Sequence, residues 1–150
     1  MKFEFSAGGI VYKYQESSIK NQKIELLILL AKHSYHKGWV FPKGLIDREK
    51  KESKEDAALR EVKEETGADG KIQAALPPST FWYKFENEKR KKTVYYYIMK
   101  YTGGDITKHD FEMEDVKWVA SEDVLKTLAH KGEKDLFKKA LPQIKKLVNS

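Results

Sequence analysis

The sequence predicts an α/β protein in which helices pack on a mixed β-sheet. Strand-like segments come first, one strongly helical segment follows, and further strands precede two helical segments at the end of the chain. That order of elements is typical of a sheet covered by helices rather than of a bundle or an all-β sandwich. The 150 residues suit one domain spanning 1–150, which is long enough to bury a core of its own.

The first half of the chain contains three predicted strands. Phe3–Tyr14 alternates in part, and Gly8 and Gly9 interrupt it, which indicates a bulge or a close backbone approach. Ile24–Ala31 has strand length and is apolar except for one glutamate, so we expect it in the middle of the sheet. Trp39–Phe41 is a short strand that a proline follows.

The clearest helix is predicted over Ser53–Thr66. Ser53 can cap its first turn, with Asp56 in the third position of a capping box. Acidic residues early in the helix suit the positive end of its dipole. Gly67 can adopt the left-handed conformation that ends a helix.

Three more strands are predicted in the second half. Phe81–Phe85 and Thr93–Tyr101 are rich in aromatic and β-branched residues, and the charged segment Glu86–Lys92 between them predicts a hairpin turn. Val116–Ala120 is a further short strand.

Two helices are expected at the end of the chain. Ser121 can cap a helix that extends to about Ala129. A final helix carries an apolar stripe, interrupted by a proline at which we expect a kink or a restart. The stripe consists of Leu136, Ala140, Ile144 and Leu147.

Composition narrows the classes of function. The chain has no cysteine, which excludes disulfides, thiolate catalysis and cysteine zinc sites. The longest apolar run, Leu26–Ala31, is far shorter than a membrane span, so we expect a cytoplasmic protein without a membrane partner. The net charge of +6 suits a polyanion, but only three of the 29 basic residues are arginines. A lysine-coated surface is therefore favoured over a nucleic-acid-binding one.

Three glutamates share one face of the predicted helix. At 100° per residue around the helix axis, Glu64 lies about 60° to one side of Glu61 and Glu65 lies about 40° to the other side. Like charges at these spacings destabilise a helix unless a cation lies between them. Carboxylate ligands favour a hard divalent ion, Mg²⁺ or Mn²⁺. On charge pattern alone, a solvated acidic face balanced by nearby lysines and an arginine is the stronger interpretation.

The residues that surround the helix favour a metal site over a solvated acidic face. The spacing of seven residues resembles the signature of the Nudix hydrolases, in which a glycine, a loop and a helix recur as one box. These residues are Gly44, Glu52, Arg60, Glu61, Glu64, Glu65 and Gly67. One departure stands out, because seven residues (45–51) separate the glycine from the first glutamate where the family pattern has five. Insertion into a loop costs little entropy, and the helix is untouched.

The resemblance implies a Nudix-type α/β/α sandwich and an enzyme that hydrolyses a nucleoside diphosphate linked to another group. It assigns the metal ions to Glu61, Glu64 and Glu65, with Glu61 or a nearby carboxylate taking the proton of the attacking water. Arg60 is expected to orient a box glutamate instead of contacting substrate. Glu52 is expected to be a ligand through water or a supporting acid.

Many Nudix enzymes recruit one more carboxylate from a late loop, shortly before a strand that contains tryptophan. Glu112 and Glu114 both precede Trp118. Spacing favours Glu112 as the additional metal ligand and leaves Glu114 open. A solvated loop acid is an equally good interpretation of either residue.

Three segments around the box, Phe41–Gly44, Phe81–Tyr83 and Lys92–Tyr97, resemble the branch of the family that cleaves bis(5′-nucleosyl) tetraphosphates, together with its relatives that act on oxidised nucleotides. That resemblance implies asymmetric hydrolysis of diadenosine tetraphosphate to ATP and AMP. The alternatives are an oxidised nucleoside triphosphate, ADP-ribose, an RNA 5′ end, or nucleotide binding without turnover. We expect a monomer or homodimer, with an RNA 5′ end as the one nucleic-acid partner to consider.

Several side chains are candidates for substrate binding. Lys43 follows the short third strand and would contact a phosphate, and the basic track Arg90, Lys91 and Lys92 could extend along a polyphosphate. Tyr95 and Tyr97 share one face of their strand, and they or Tyr83 could stack a base, although a core position is favoured for any single aromatic. The histidines at 33 and 36 lie in a predicted loop before Trp39, where they could meet phosphate, but surface positions without a ligand role are favoured.

Overall fold

The computed structural model describes residues 1–16, 23–35 and 38–148. The predicted surface position of His36 lies outside these residues. The strands are β1 (Lys2–Glu16), β2 (Ile24–His33), β3 (Trp39–Val40), β4 (Lys43–Leu45), β5 (Ala68–Ala75), β6 (Ser79–Phe85), β7 (Glu88–Gly104) and β8 (Met113–Ala120). The α-helices are α1 (Lys54–Thr66), α2 (Val124–Thr127) and α3 (Lys131–Val148), and Ile106–Lys108 and Ser121–Asp123 form 3₁₀ turns.

The strands form a mixed sheet, as the sequence predicts. Its main path runs β3-β2-β1-β7-β5, while β4 pairs with β1, β6 with β7 and β8 with β2. The two long strands β1 and β7 are parallel, with Lys2 opposite Arg90 and Tyr12 opposite Lys100. The other pairings are antiparallel. The parallel pair lies in the middle of the sheet and is covered by helices on both faces, as parallel strands usually are.

Helices cover both faces of the sheet and make it an α/β/α sandwich. On one face, α1 contributes Ala57, Ala58 and Val62 to a core with the odd-numbered apolar side chains of β1. On the other face, α3 contributes Phe137 and Ile144 to a core with β2, β7 and the segment between β3 and β4. The alternation of side chains along each strand therefore divides the buried residues between two helical layers.

The glycines that interrupt β1 lie where another part of the backbone passes very closely. Gly9 N–H donates a hydrogen bond to the carbonyl of Pro42 at 3.1 Å. A Cβ on Gly8 would lie 2.2 Å from the same carbonyl oxygen, so a larger residue cannot fit. The close approach that was predicted from the sequence is therefore present, and it positions β4 beside β1.

Both predicted caps of α1 are confirmed. The Ser53 side chain accepts a hydrogen bond from Asp56 N–H at 3.0 Å. Gly67 has a φ of 81° and donates its N–H to the carbonyl of Lys63 at 2.8 Å. Only glycine adopts this left-handed conformation at little cost, so local sequence sets both ends of the helix.

The hairpin is tighter than expected. The predicted turn Glu86–Lys92 is wrong in length, because β7 already begins at Glu88. Glu86 and Asn87 form a two-residue turn with φ values of 51° and 62°. Two successive positive φ angles match the twist of a hairpin, so the lysines that follow join the ladder.

The remaining differences concern short strands and the helices at the end of the chain. The strands β4 and β5 were not predicted, and the helix expected from Ser121 is a 3₁₀ turn followed by α2, which ends at Thr127. Helix α3 continues through Pro142, which is exposed on the side away from the core. Among the described residues, no helix is long and apolar enough to cross a membrane.

Candidate active site

The candidate site begins where β4 passes against α1. The carboxylate of Glu61 lies directly over the backbone of Gly44, so that a Cβ on this glycine would be 2.1 Å from a carboxylate oxygen. The side chain of Glu61 is 12% exposed. Burial is the main reason that the pKa of Glu61 is raised, although hydrogen bonding to Arg60 opposes the rise.

Arg60 is the centre of a network of charged hydrogen bonds. Its Nε and Nη2 donate to the two carboxylate oxygens of Glu52 at 2.7 and 2.9 Å. Its Nη1 donates to Glu61 at 2.7 Å and to Glu64 at 3.2 Å, and Nη2 also reaches the carbonyl of Leu45 at 3.0 Å. The guanidinium therefore ties the loop after β4 to the glutamates of α1.

Glu52 closes the longer loop despite its two additional residues. Its carboxylate accepts a hydrogen bond from Asp47 N–H at 3.0 Å, and its own N–H donates to the carbonyl of Asp47 at 3.1 Å. The hydrogen bonds from Arg60 are the main reason that the pKa of Glu52 falls to about 2. The insertion is thus contained in a turn, and Glu52 stays paired with Arg60.

Glu64 and Glu65 are neighbours in different surroundings. The side chain of Glu64 is 51% exposed, whereas that of Glu65 is 9% exposed. Lys43 N–H donates to Glu65 at 3.1 Å. Burial is the main reason that the pKa of Glu65 rises to about 8, and the negative charges of Glu61 and Asp110 raise it further.

His33 also lies at this site, which corrects the prediction of a surface histidine. Its Nε2 is 3.9 Å from a carboxylate oxygen of Glu65, and its side chain is 25% exposed. The sequence placed it in a loop, but β2 extends to His33 and so directs it toward α1. No local pattern could have revealed that the strand continues this far.

Comparison with known proteins identifies the family. A model of the NUDIX domain matches residues 17–140. A protein of Mycobacterium tuberculosis named as mutator protein MutT4 is 34% identical over 96% of this chain and 57% of its own length. The chain belongs to the Nudix family. Nudix hydrolase 10 of Arabidopsis thaliana is 36% identical over 67% of this chain and 34% of that protein, so the chain spans only part of these relatives.

Solved structures share the Nudix fold. The C. elegans Ap4A hydrolase, in a binary complex, has a TM-score of 0.74 and 24% identity, covering 94% of this chain and 97% of that one. The NUDIX domain of Shewanella oneidensis NrtR, complexed with ADP ribose, has a TM-score of 0.72 and 23% identity, covering 96% of this chain and 90% of that one. At these identities the likeness shows the fold.

Nudix hydrolases are pyrophosphohydrolases acting on acid anhydrides, and they generally use divalent metal ions. The donor set of this Nudix box fits such an ion. Glu61 and Glu65 contact the turn at Gly44 and Lys43, and Glu64 shares the guanidinium of Arg60 with Glu61. A cation would also lower the raised pKa of the buried Glu65. Within the described ranges, no three acidic or histidine side chains already converge as a metal site. Instead the guanidinium of Arg60 neutralises Glu61 and Glu64.

A late loop of the Nudix domain meets the end of α1 through Asp110, a residue that the sequence did not single out. Asp110 N–H donates to the carbonyl of Glu64 at 3.0 Å. The predicted extra ligand Glu112 is exposed in the same loop, and its N–H donates to the Asp110 carboxylate at 2.8 Å. Glu114 is exposed and lies 3.8 Å from Lys32. The loop therefore places Asp110 beside the box, and no motif in the sequence distinguished it from the other acids.

Lys43 lies beside the box and is firmly held. Its Nζ donates to the carboxylate of Glu133 at 3.1 Å. That carboxylate is buried and also accepts hydrogen bonds from Phe41 N–H at 3.2 Å and from the Tyr96 hydroxyl at 2.7 Å. A residue of α3 thus fixes the position of the turn that carries Lys43, a contact across the chain that sequence patterns do not reveal.

The two tyrosines predicted to share a face of β7 do so. Tyr95 and Tyr97 lie on the side of α1, whereas Tyr96 lies on the side of α3. Tyr97 is 5% exposed and its hydroxyl donates to Glu55 at 3.1 Å. Tyr95 is half-buried, with Lys54 Nζ 4.6 Å from its ring centre. Of the two rings, Tyr95 is the one that a ligand could reach.

Tyr83 and Arg90 meet each other at the hairpin, where they face one another across β6 and β7. The Tyr83 hydroxyl donates to Glu4, and Arg90 lies 3.6 Å from the same carboxylate. The Arg90 guanidinium also lies 4.9 Å from the ring centre of Phe85. Both candidates are therefore engaged with neighbouring residues.

Proposed function

We propose that the domain catalyses the Mg²⁺-dependent hydrolysis of a phosphoanhydride in a nucleoside diphosphate derivative. The observation that carries this proposal is the Arg60 network, which connects Glu52 to the helical glutamates at the turn around Gly44. This arrangement supplies carboxylates for a divalent ion next to a lysine that can meet phosphate.

Each residue of the site has a distinct part in the proposed reaction. Glu61, Glu64 and Glu65 would hold the metal, which when bound neutralises charge on the phosphates. Glu61 would accept a proton as water oxygen bonds to phosphorus and the anhydride P–O bond breaks, giving two phosphate products. Burial raises the pKa of Glu61 above its usual value, which makes its carboxylate a stronger base. Arg60 orients Glu61 and, through Glu52, the loop.

For the substrate, we propose diadenosine tetraphosphate, cleaved asymmetrically to ATP and AMP. The likeness of fold to the C. elegans Ap4A hydrolase supports this choice, as does the basic side chain of Lys43 beside the box. An oxidised nucleoside triphosphate is the second candidate, because the Mycobacterium tuberculosis relative bears the name of a mutator protein. We propose that Tyr95 contributes the stacking surface for a base.

A hydrolysis panel tests the proposal. Diadenosine tetraphosphate, 8-oxo-dGTP, ADP-ribose and a 5′-triphosphorylated RNA are incubated with Mg²⁺, and the products are identified. ATP plus AMP formed fastest from the first compound supports the proposed substrate. Preference for another compound refutes that substrate and keeps the reaction class, whereas binding without turnover on the whole panel refutes hydrolysis.

Three acids of the late loop can be compared in the same assay. We propose that Asp110 or Glu112 completes the metal site, so Asp110→Asn or Glu112→Gln should lower kcat by at least about tenfold. Glu114→Gln is the matched control, because its carboxylate faces Lys32. Wild-type activity in all three variants would exclude this loop from the metal site.

The single-domain organisation, the cytoplasmic location and the monomeric or dimeric state stay predictions.

A further inference from the structure

A cavity of about 270 Å³ opens beside the box, lined in part by residues of β1, β4 and β7. Lys43 and Lys92 both line it, together with Glu65, His130 and Ser6. Burial is the main reason that the pKa of Lys92 is lowered and the neighbouring charge of Lys43 lowers it further, while the carboxylates of Glu4, Glu65 and Glu133 oppose the shift. The cavity has room for a phosphate group and the cations to attract one.

Ser6 is the unexplained member of this cavity. Its side chain is 1% exposed, and its hydroxyl has no hydrogen-bond partner among the residues that the structure describes. A buried hydroxyl without a partner costs free energy, and such groups are rare in folded proteins. A ligand oxygen in the cavity would provide the missing partner.

The backbone holds Ser6 rigidly in this position. In the sheet, Ser6 pairs with Leu45 of β4 on one side and with Val94 of β7 on the other. Lys43 and Lys92 belong to the same two neighbouring strands, two residues away from those partners. The backbone therefore fixes Ser6 between the two strands that carry the lysines, and the Lys43 ammonium is held by its hydrogen bond of 3.1 Å to Glu133.

We propose that the Ser6 hydroxyl donates a hydrogen bond to a phosphoryl oxygen of the substrate, in an anion subsite completed by Lys43 and Lys92. This inference rests on the proposed function, because the subsite adjoins the carboxylates assigned to the metal. It makes Ser6 a substrate-binding residue. It also explains why a polar side chain occupies a buried position that an alanine would fill without an unpaired hydroxyl.

Two alanine variants test the inference. Ser6→Ala removes the hydroxyl, and Ser79→Ala is the matched control, because Ser79 pairs with the same residue, Val94, from the other side of β7 and does not line the cavity. Binding of inorganic tripolyphosphate is measured by calorimetry in EDTA. Ser6→Ala should weaken binding by about tenfold, as expected for a hydrogen bond to a charged group. Ser79→Ala should bind like the wild type.

Stability and kinetics separate a binding role from a structural one. Because the hydroxyl has no partner in the protein, the Tm of Ser6→Ala should equal or exceed that of the wild type. With the best substrate of the panel, its KM should rise about tenfold while kcat changes little. A lower Tm for this variant, or tripolyphosphate binding equal to that of the wild type, would overturn the inference.

The outcomes also distinguish the inference from the proposed function. If the wild type hydrolyses nucleotides and Ser6→Ala behaves like Ser79→Ala, the subsite is wrong and the function stands. If the wild type hydrolyses nothing on the panel but Ser6→Ala still weakens tripolyphosphate binding, the function is wrong and the subsite stands. Failure of tripolyphosphate to bind the wild type overturns the subsite directly.

Discussion

The buried carboxylate of Glu65 predicts that its replacement by glutamine stabilises the metal-free protein while it abolishes activity. The side chain is 9% exposed and close to two other acids, Glu61 and Asp110. Ionisation of Glu65 in the absence of metal is therefore unfavourable, and a neutral amide of the same shape avoids it. Because Glu65 is assigned to the metal, the same change should lower kcat by orders of magnitude.

The size of the effect follows from the pKa. Folding raises the pKa of Glu65 from 4.5 to about 8. Between these values the folded protein holds a proton that the unfolded chain releases, so the free energy of unfolding falls as the pH rises. The slope from this residue is about 1.4 kcal/mol per pH unit, and the accumulated loss at neutral pH is about 3 kcal/mol. Above about pH 8 no further loss occurs.

Urea denaturation in EDTA, from about pH 5 to about pH 9, measures this slope. The wild type should lose stability with rising pH, and Glu65→Gln should lose much less, so the two curves diverge. Glu64→Gln is the matched control: its carboxylate is 51% exposed and the slope should resemble that of the wild type. Parallel curves for the wild type and Glu65→Gln would refute the argument that Glu65 ionises at a cost. Added Mg²⁺ should reduce the slope, since metal binding requires the ionised carboxylate.

Three other predictions concern the support of the site. Arg60→Lys loses the paired hydrogen bonds to Glu52, and urea denaturation should show a loss of about 1–3 kcal/mol; an unchanged midpoint would show that the pair contributes nothing. Gly44→Ala places a methyl group against the carboxylate of Glu61, and kcat should fall about a hundredfold with near-wild-type circular dichroism; full activity would mean that the turn can move. EDTA should abolish turnover and excess Mg²⁺ restore it, whereas activity that persists in EDTA would exclude a metal-dependent reaction.

Elements whose signals are local could be predicted from the sequence. The caps at Ser53 and Gly67 depend on contacts within a few residues, and both are present. The hairpin turn was predicted too long, because the charged residues after Asn87 were interpreted as a loop although they continue the strand. The strand β4 has three residues, too few for any periodicity, and it forms because Gly8 lets the chain pass closely. The sheet, not the local sequence, determines such a segment.

The site shows the same division between local and distant causes. The spacing of Glu64 and Glu65 places both on one helical face, but sequence gives them the same chemistry. Their environments differ because the sheet, Lys43 and the late loop enclose only Glu65. That loop reaches α1 through the backbone of Asp110, a contact formed by segments far apart in the chain. A motif can therefore identify the carboxylates, whereas residues from other strands and loops determine how readily each one ionises. For that reason, the variants Glu64→Gln and Glu65→Gln should differ in stability.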